Sequence, residues 1–249
     1  MRRAAVGLLA AVLAAALPWL SGCGSGLTGG SIPPGGNVSR ARGIVVRGDA
    51  ADQVLAGATL RFIPATSSRD YVVYTGGDTS GGGSNPPSPP DWGGGTNVGG
   101  EVPGTVKVTT NNSGSFDQSN LPTGVVTLTV TPPVGSGLAT SSYSLQISAG
   151  DQYYLLLALP PTGMNTNGLT GIELSPNPIS LRVGEATQVN VQLLGGAPPA
   201  VVPSYLVKGD VGIVNQQGRF TATTTGTGLL RVQVAGYQKT VSITVRPAQ

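Results

Sequence analysis

The 249-residue chain has no histidine and a single cysteine, Cys23. Without imidazole, Ser-His-Asp and Cys-His catalysis and histidine metal sites are excluded. Without a second thiol no internal disulfide can form, so stability has to come from apolar cores. Only 10% of the residues are charged and 5% aromatic. The 11 carboxylates form no D-x-D-x-D calcium run, and Asp49 and Asp52, the most closely spaced, read as solvated turn residues. The formal charge is +3, and discounting Arg2 and Arg3 leaves +1 with no cluster of Lys or Arg, which argues against a nucleic-acid partner. No metal or cofactor is expected.

What is present in quantity is Gly (39) and Pro (20), interleaved with short alternating runs of Val, Leu, Ile and Thr. Such runs between turn residues predict small β-domains joined by flexible stretches. The fold class expected is all-β, with two β-sandwich domains in series.

The first residues stand apart. Met1-Arg2-Arg3 is a basic start, and residues 4–20 are an apolar run broken only by Gly7 and Pro18. As a helix this run would reach about 25 Å, short of the roughly 30 Å hydrocarbon core of a bilayer. That is the layout of a cleaved export signal. It ends in Leu20-Ser21-Gly22-Cys23. Here the chain resembles bacterial lipoproteins, whose lipobox has Leu, a small residue, Gly or Ala, then Cys. The resemblance implies cleavage between Gly22 and Cys23 and a diacylglycerol thioether on Cys23, which makes the membrane a partner through lipid. The competing readings are an ordinary signal with an incidental cysteine, or an uncleaved anchor. In that family Asp after the cysteine signals inner-membrane retention, and Gly24 stands there instead, which implies the outer membrane or cell surface. Residues 23–39 then carry the lipid and form a Gly/Ser/Pro tether with an r.m.s. span of roughly 20–25 Å.

Residues 40–160 read as the first domain. Ala58, Leu60 and Phe62 alternate with Thr59 and Arg61, Val126, Leu128 and Val130 with threonines, and Tyr143, Leu145 and Ile147 with polar neighbours. Residues 152–159 (QYYLLLAL) are apolar at every second position of both registers, which predicts a strand covered on both faces. The turn NNSGSF, residues 111–116, should send Phe116 inward. Gly43, Val45, Gly57, Ala58, Gly114, Phe116 and Leu121-Pro122-Thr123-Gly124 together resemble the carboxypeptidase regulatory-like domain, a transthyretin-like β-sandwich in which Asp often stands at the place of Asn111. Residues 75–104, rich in Gly, Ser, Pro and Asn, interrupt it and read as a disordered insertion between strands. Its GGGS and DWGGG stretches lack the Lys-Ser/Thr ending and following helix of a phosphate loop.

After a linker, 161–170, residues 171–247 alternate again. Leu230, Val232 and Val234, then Val241, Ile243 and Val245, face one way, and GRFTA is expected to send Phe220 and Ala222 inward. Ile172, Leu174, Pro176, Leu181, Val183, Gly184, Glu185, Gly218, Phe220, Thr221, Ala222, Gly226 and Val245 resemble the bacterial Ig-like domain, group 2. Where that family carries a central-strand Trp, Tyr205 is the candidate substitute.

No segment suggests a catalytic cleft, and Lys107, Lys208 and Lys239 lie outside the first strand of either domain, where a self-linking isopeptide would need one. The expected function is a non-catalytic, lipid-anchored envelope protein acting as an adhesive or structural spacer or a protein-interaction module. The alternative is polysaccharide binding, with Tyr71, Tyr74 and Trp92, in or beside the insertion, as ligand contacts.

Overall fold

The computed structural model describes residues 38–65, 102–196 and 202–249. Gly22, Cys23, Tyr71, Tyr74 and Trp92 lie outside the described residues, as do the tether up to residue 37 and the insertion up to residue 101. The described residues contain strands and turns and no helix. The first seven strands are β1 (Arg40–Arg47), β2 (Thr59–Pro64), β3 (Val106–Thr109), β4 (Ser115–Ser119), β5 (Gly124–Thr131), β6 (Ser141–Ile147) and β7 (Gln152–Leu159). The rest are β8 (Leu169–Ser175), β9 (Ile179–Arg182), β10 (Ala186–Gln188), β11 (Asn190–Gly195), β12 (Ser204–Lys208), β13 (Gly212–Val214), β14 (Arg219–Ala222), β15 (Gly226–Val234) and β16 (Tyr237–Arg246).

The alternation read in the sequence decides the layers. A four-stranded sheet, β3-β2-β5-β6, turns Leu60, Phe62, Val126, Leu128, Val130 and Leu145 into one core. It packs on a seven-stranded sheet of order β4-β1-β7-β12-β15-β16-β9. The opposite face of that long sheet meets a second core, covered by the sheets β10-β14-β13 and β11-β8. Strand pairing therefore runs on between the two sequence segments, through the antiparallel pairing of β7 with β12 from Tyr205↔Leu156 to Lys208↔Tyr153. This explains why β7 is apolar from Tyr153 onward. Tyr153, Leu155, Leu157 and Leu159 point into the first core, and Tyr154, Leu156 and Ala158 into the second. Strand β12 divides in the same way, with Leu206 in the first core and Tyr205 and Val207 in the second.

Some boundaries differ from the sequence pattern for local reasons. Residues 55–57, just ahead of the alternating Ala58 to Phe62, form a turn in which Gly57 has φ +73°. The buried Thr110 holds it: its Oγ1 donates to Leu55 O at 2.6 Å and accepts from Ala58 N at 2.9 Å. The alternating stretch around residues 186–195 divides at Val189, whose N–H donates to Gly218 O at 2.9 Å, so that β10 pairs with β14 and β11 with β8.

Two turns share one construction. In residues 111–116 and 215–220 the order is Asn-x-x-Gly-x-Phe. Asn111 Oδ1 accepts from the N–H of Ser113 and of Ser115, each at 3.0 Å, and Asn215 Oδ1 accepts from Gln217 (3.1 Å) and Arg219 (2.8 Å). The glycines, Gly114 at φ +68° and Gly218 at φ +78°, occupy the left-handed region, and Phe116 and Phe220 are buried. An acceptor oxygen is all the first position must supply, so amide and carboxylate serve equally there.

Strand direction fixes where the chain enters and leaves. β1 and β7 are parallel, and β12, β15 and β16 each run antiparallel to the strand before them in the sheet. The start of β1 at Arg40 and the end of β16 at Arg246 consequently lie at the same end of the long sheet. Contacts of β6 with β12 and β15 orient the four-stranded sheet so that β2 ends and β3 begins at this end as well. The opposite end carries the close of β7, the opening of β12 and the β15–β16 turn.

Candidate functional site

The site is built where the two segments meet, from residues the sequence pattern did not single out. Main-chain pairing between β7 and β12 stops at Tyr205↔Leu156, and the Ser204 side chain takes over from there. Its Oγ accepts from Ala158 N at 2.9 Å and donates to Ala158 O at 3.3 Å, which leaves Tyr143 Oη to donate to it at 2.9 Å. Three elements, β6, β7 and β12, are thus tied through one buried hydroxyl. A polar atom buried at such a junction has to be satisfied there, and this one is.

Beside it, β6 is the outer strand of its sheet, with alternate carbonyls facing the long sheet. Gln233 Nε2 donates to Ser142 O at 3.2 Å, the Arg231 guanidinium donates to Ser144 O, and Lys208 Nζ donates to Gln146 O at 3.0 Å. Successive outward carbonyls on a strand repeat every second residue, and Gln233 and Arg231 on the antiparallel β15 repeat the same way, so the donors match the acceptors. Lys208 is held further by Asp151 at 2.8 Å and lies 5.8 Å from the centre of the Tyr153 ring. A groove of about 190 Å³ lies along this row, with Leu206 and the 45%-exposed Leu229 in its walls.

A larger cleft, about 320 Å³, opens at the Val234 end of the junction. The opening of β6, the close of β7, the connection around residues 160–166, the opening of β12 and the β15–β16 turn converge on it. Ser204 and Tyr143 lie in its wall, and none of its described lining residues is charged.

The displaced titrations among the described residues belong to buried phenols and surface pairs. Burial pushes Tyr143 and Tyr154 up and raises Tyr205 to about 12, while burial and the Asp151 charge raise Tyr153. Hydrogen bonding to Arg47 lowers Asp49, at 2.8–2.9 Å. None of these is a carboxyl raised toward neutrality or an amine lowered into it, the usual mark of acid–base catalysis. Among the described residues no three His, Cys, Asp or Glu side chains gather as a metal site would require.

Little in the sequence could have flagged this junction. Ser204 precedes an apolar run as any turn serine does, and Lys208, Arg231 and Gln233 look like ordinary polar positions on strands. A scan against protein-family models and a search of curated proteins find no match to the chain.

Proposed function

We propose that the chain is a non-catalytic, lipid-anchored protein of the cell envelope whose β-rich body serves as an interaction or adhesive module. The observation that carries this is the order of residues 1–23: a basic start, an apolar run too short to span, and Leu20-Ser21-Gly22-Cys23 at its end. In this reading Cys23 bears the lipid and becomes the first residue after cleavage. Two or three acyl chains, each buried methylene contributing about 0.8 kcal/mol, hold firmly where one would hold reversibly. In this reading the body comprises a transthyretin-like and an Ig-like sandwich, which the all-β architecture supports.

The course of the strands supports display over simple spacing. A tether joined at Arg40 enters the same end of the sheet from which β16 leaves, so the body adds little length between the two ends of the folded chain. The Val234 end, with the junction cleft, lies at the other end of the long sheet from Arg40. Outer-membrane or surface placement follows from the absence of Asp at position 24.

Metabolic labelling tests the anchor. Palmitate incorporation into the wild-type protein, blocked by globomycin and lost in Cys23→Ser, is the expected result. A mature protein that is soluble, carries a free thiol and has been cut elsewhere would overturn it.

A further inference from the structure

The cleft at the Val234 end has a chemistry of its own. Thr140, Ser142, Thr166 and Gln233 are among its lining residues; no side-chain hydrogen bond within the described residues occupies the three hydroxyls, and the Gln233 amide has its nitrogen engaged with Ser142 O and its oxygen unengaged. Met164 and Val202, both half-buried, supply an apolar wall between them. Among the described residues the lining carries no charged side chain, so none of them offers the partner that a phosphate, carboxylate or ammonium ligand would need. The neighbouring strand edge does not invite an extended peptide either. Peptide addition needs free main-chain groups, and the outward carbonyls of β6 are already taken by Gln233, Arg231 and Lys208. The ligand that remains is compact and neutral, with many hydroxyls on its rim and C–H groups on its face.

We propose that this cleft binds a neutral saccharide, as a short run of sugar rings within a longer glycan. The volume lies at the lower end of the range for small-ligand sites, roughly 300–1,000 Å³. Thr140, Ser142, Thr166 and the Gln233 oxygen bond the sugar hydroxyls, while Met164 and Val202 meet the apolar face of the ring. Tyr143 and Ser204 hold the floor rigid without spending their hydrogen bonds on the ligand. Because an open cleft leaves part of each ring in water, and sugar hydroxyls exchange one set of hydrogen bonds for another, single-site affinity is expected to be weak. The proposal stands apart from the membrane reading: loss of the lipid would leave the cleft unchanged.

The test is saturation-transfer NMR and array binding of the full-length protein, purified in detergent, against neutral gluco-, manno- and galacto-oligosaccharides, with uronate oligomers as the charged counterparts. Binding of a neutral series, weakened roughly tenfold or more by Thr166→Trp with the melting temperature unchanged, is the expected result. Thr166 lies between strands, so the indole fills the cleft without entering a sheet. Should that variant fail to fold, the Thr140→Ala/Ser142→Ala pair is the second test, with a loss of the same order. Absence of neutral binding, preference for the uronates, or binding untouched by these variants overturns the proposal. So does binding lost in Trp92→Ala and retained in Thr166→Trp, which would move the ligand to the insertion.

Discussion

The turns at 111–116 and 215–220 are near copies in sequence and in hydrogen bonding, yet they lead to different places. The second closes a hairpin inside one sheet, with β13 pairing β14 at Val214↔Phe220. The first crosses between layers: β3 belongs to the four-stranded sheet, while β4, after the turn, pairs with β1 at Gly43↔Phe116. The difference lies in which neighbour has an open edge. β1 receives Gly114 O on the N–H of Val45 at 2.8 Å and draws β4 into the long sheet, whereas β14 finds β10 and β13 on either side. Turn chemistry sets the bend and the inward aromatic, and tertiary pairing sets the layer.

The largest effect expected from breaking this comparison comes from the aromatics. Phe116→Ala and Phe220→Ala should each cost about 3–5 kcal/mol, with Phe220, fully buried, above Phe116 at 5% exposure. Denaturant unfolding followed by both fluorescence and circular dichroism should give one transition for each variant, because the long sheet is common to both cores. Two separate transitions would break the picture of a shared sheet.

Next comes an asymmetry in titration. Tyr205 rests beside the second turn, its hydroxyl close to Gly218, and burial lifts its pKa to about 12. An unfolded tyrosine ionises near 10, so between about pH 10 and 12 the unfolded chain has lost a proton the native state keeps, and stability falls as pH rises. That contribution, on the order of 2–3 kcal/mol, is complete below pH 10 and lost as pH passes through the folded value. Tyr205→Phe should flatten the alkaline limb of a stability-against-pH curve, and an unchanged slope would show the phenol to be well hydrated.

The glycines should separate by about 1–3 kcal/mol. A Cβ on Gly114 would meet Val45 O at 2.8 Å, part of the fixed backbone of β1, whereas on Gly218 it would meet the far end of Tyr205 at 2.5 Å. Gly114→Ala is therefore the more damaging in thermal melts. Smallest are the asparagines. Asn111→Ala and Asn215→Ala should each cost about 1 kcal/mol by removing acceptors from exposed turns, and Asn111→Asp should be close to neutral in the same melts.

Much of this architecture could be read from alternation. Leu60 and Phe62, Val126 to Val130, and Val241 to Val245 fall on the faces their periodicity predicts, and the two-sided burial of residues 153–159 is visible as an unbroken apolar run. The joining of the segments was not. Whether β7 meets β12 depends on which main-chain edges remain open once each half has folded, and side-chain pattern does not encode that. For the same reason the row Lys208, Arg231, Gln233 and the hydroxyl of Ser204 gain meaning only when residues 61 to 91 positions apart are brought together. Of the positions singled out for function, the cysteine and the three aromatics fall outside the described residues, so the cleft could come only from the folded chain.

The side-chain donors along β6 have a consequence for how this polypeptide is handled. An open strand edge is a template on which other copies can stack, and proteins guard such edges. Here the guard is supplied by the later half of the chain. A fragment ending after β7 would expose Ser142, Ser144 and Gln146 carbonyls together with the bare edge of β7, and self-association would follow. The same hazard attends synthesis, since the earlier half must wait for residues 204–233 before it is sealed.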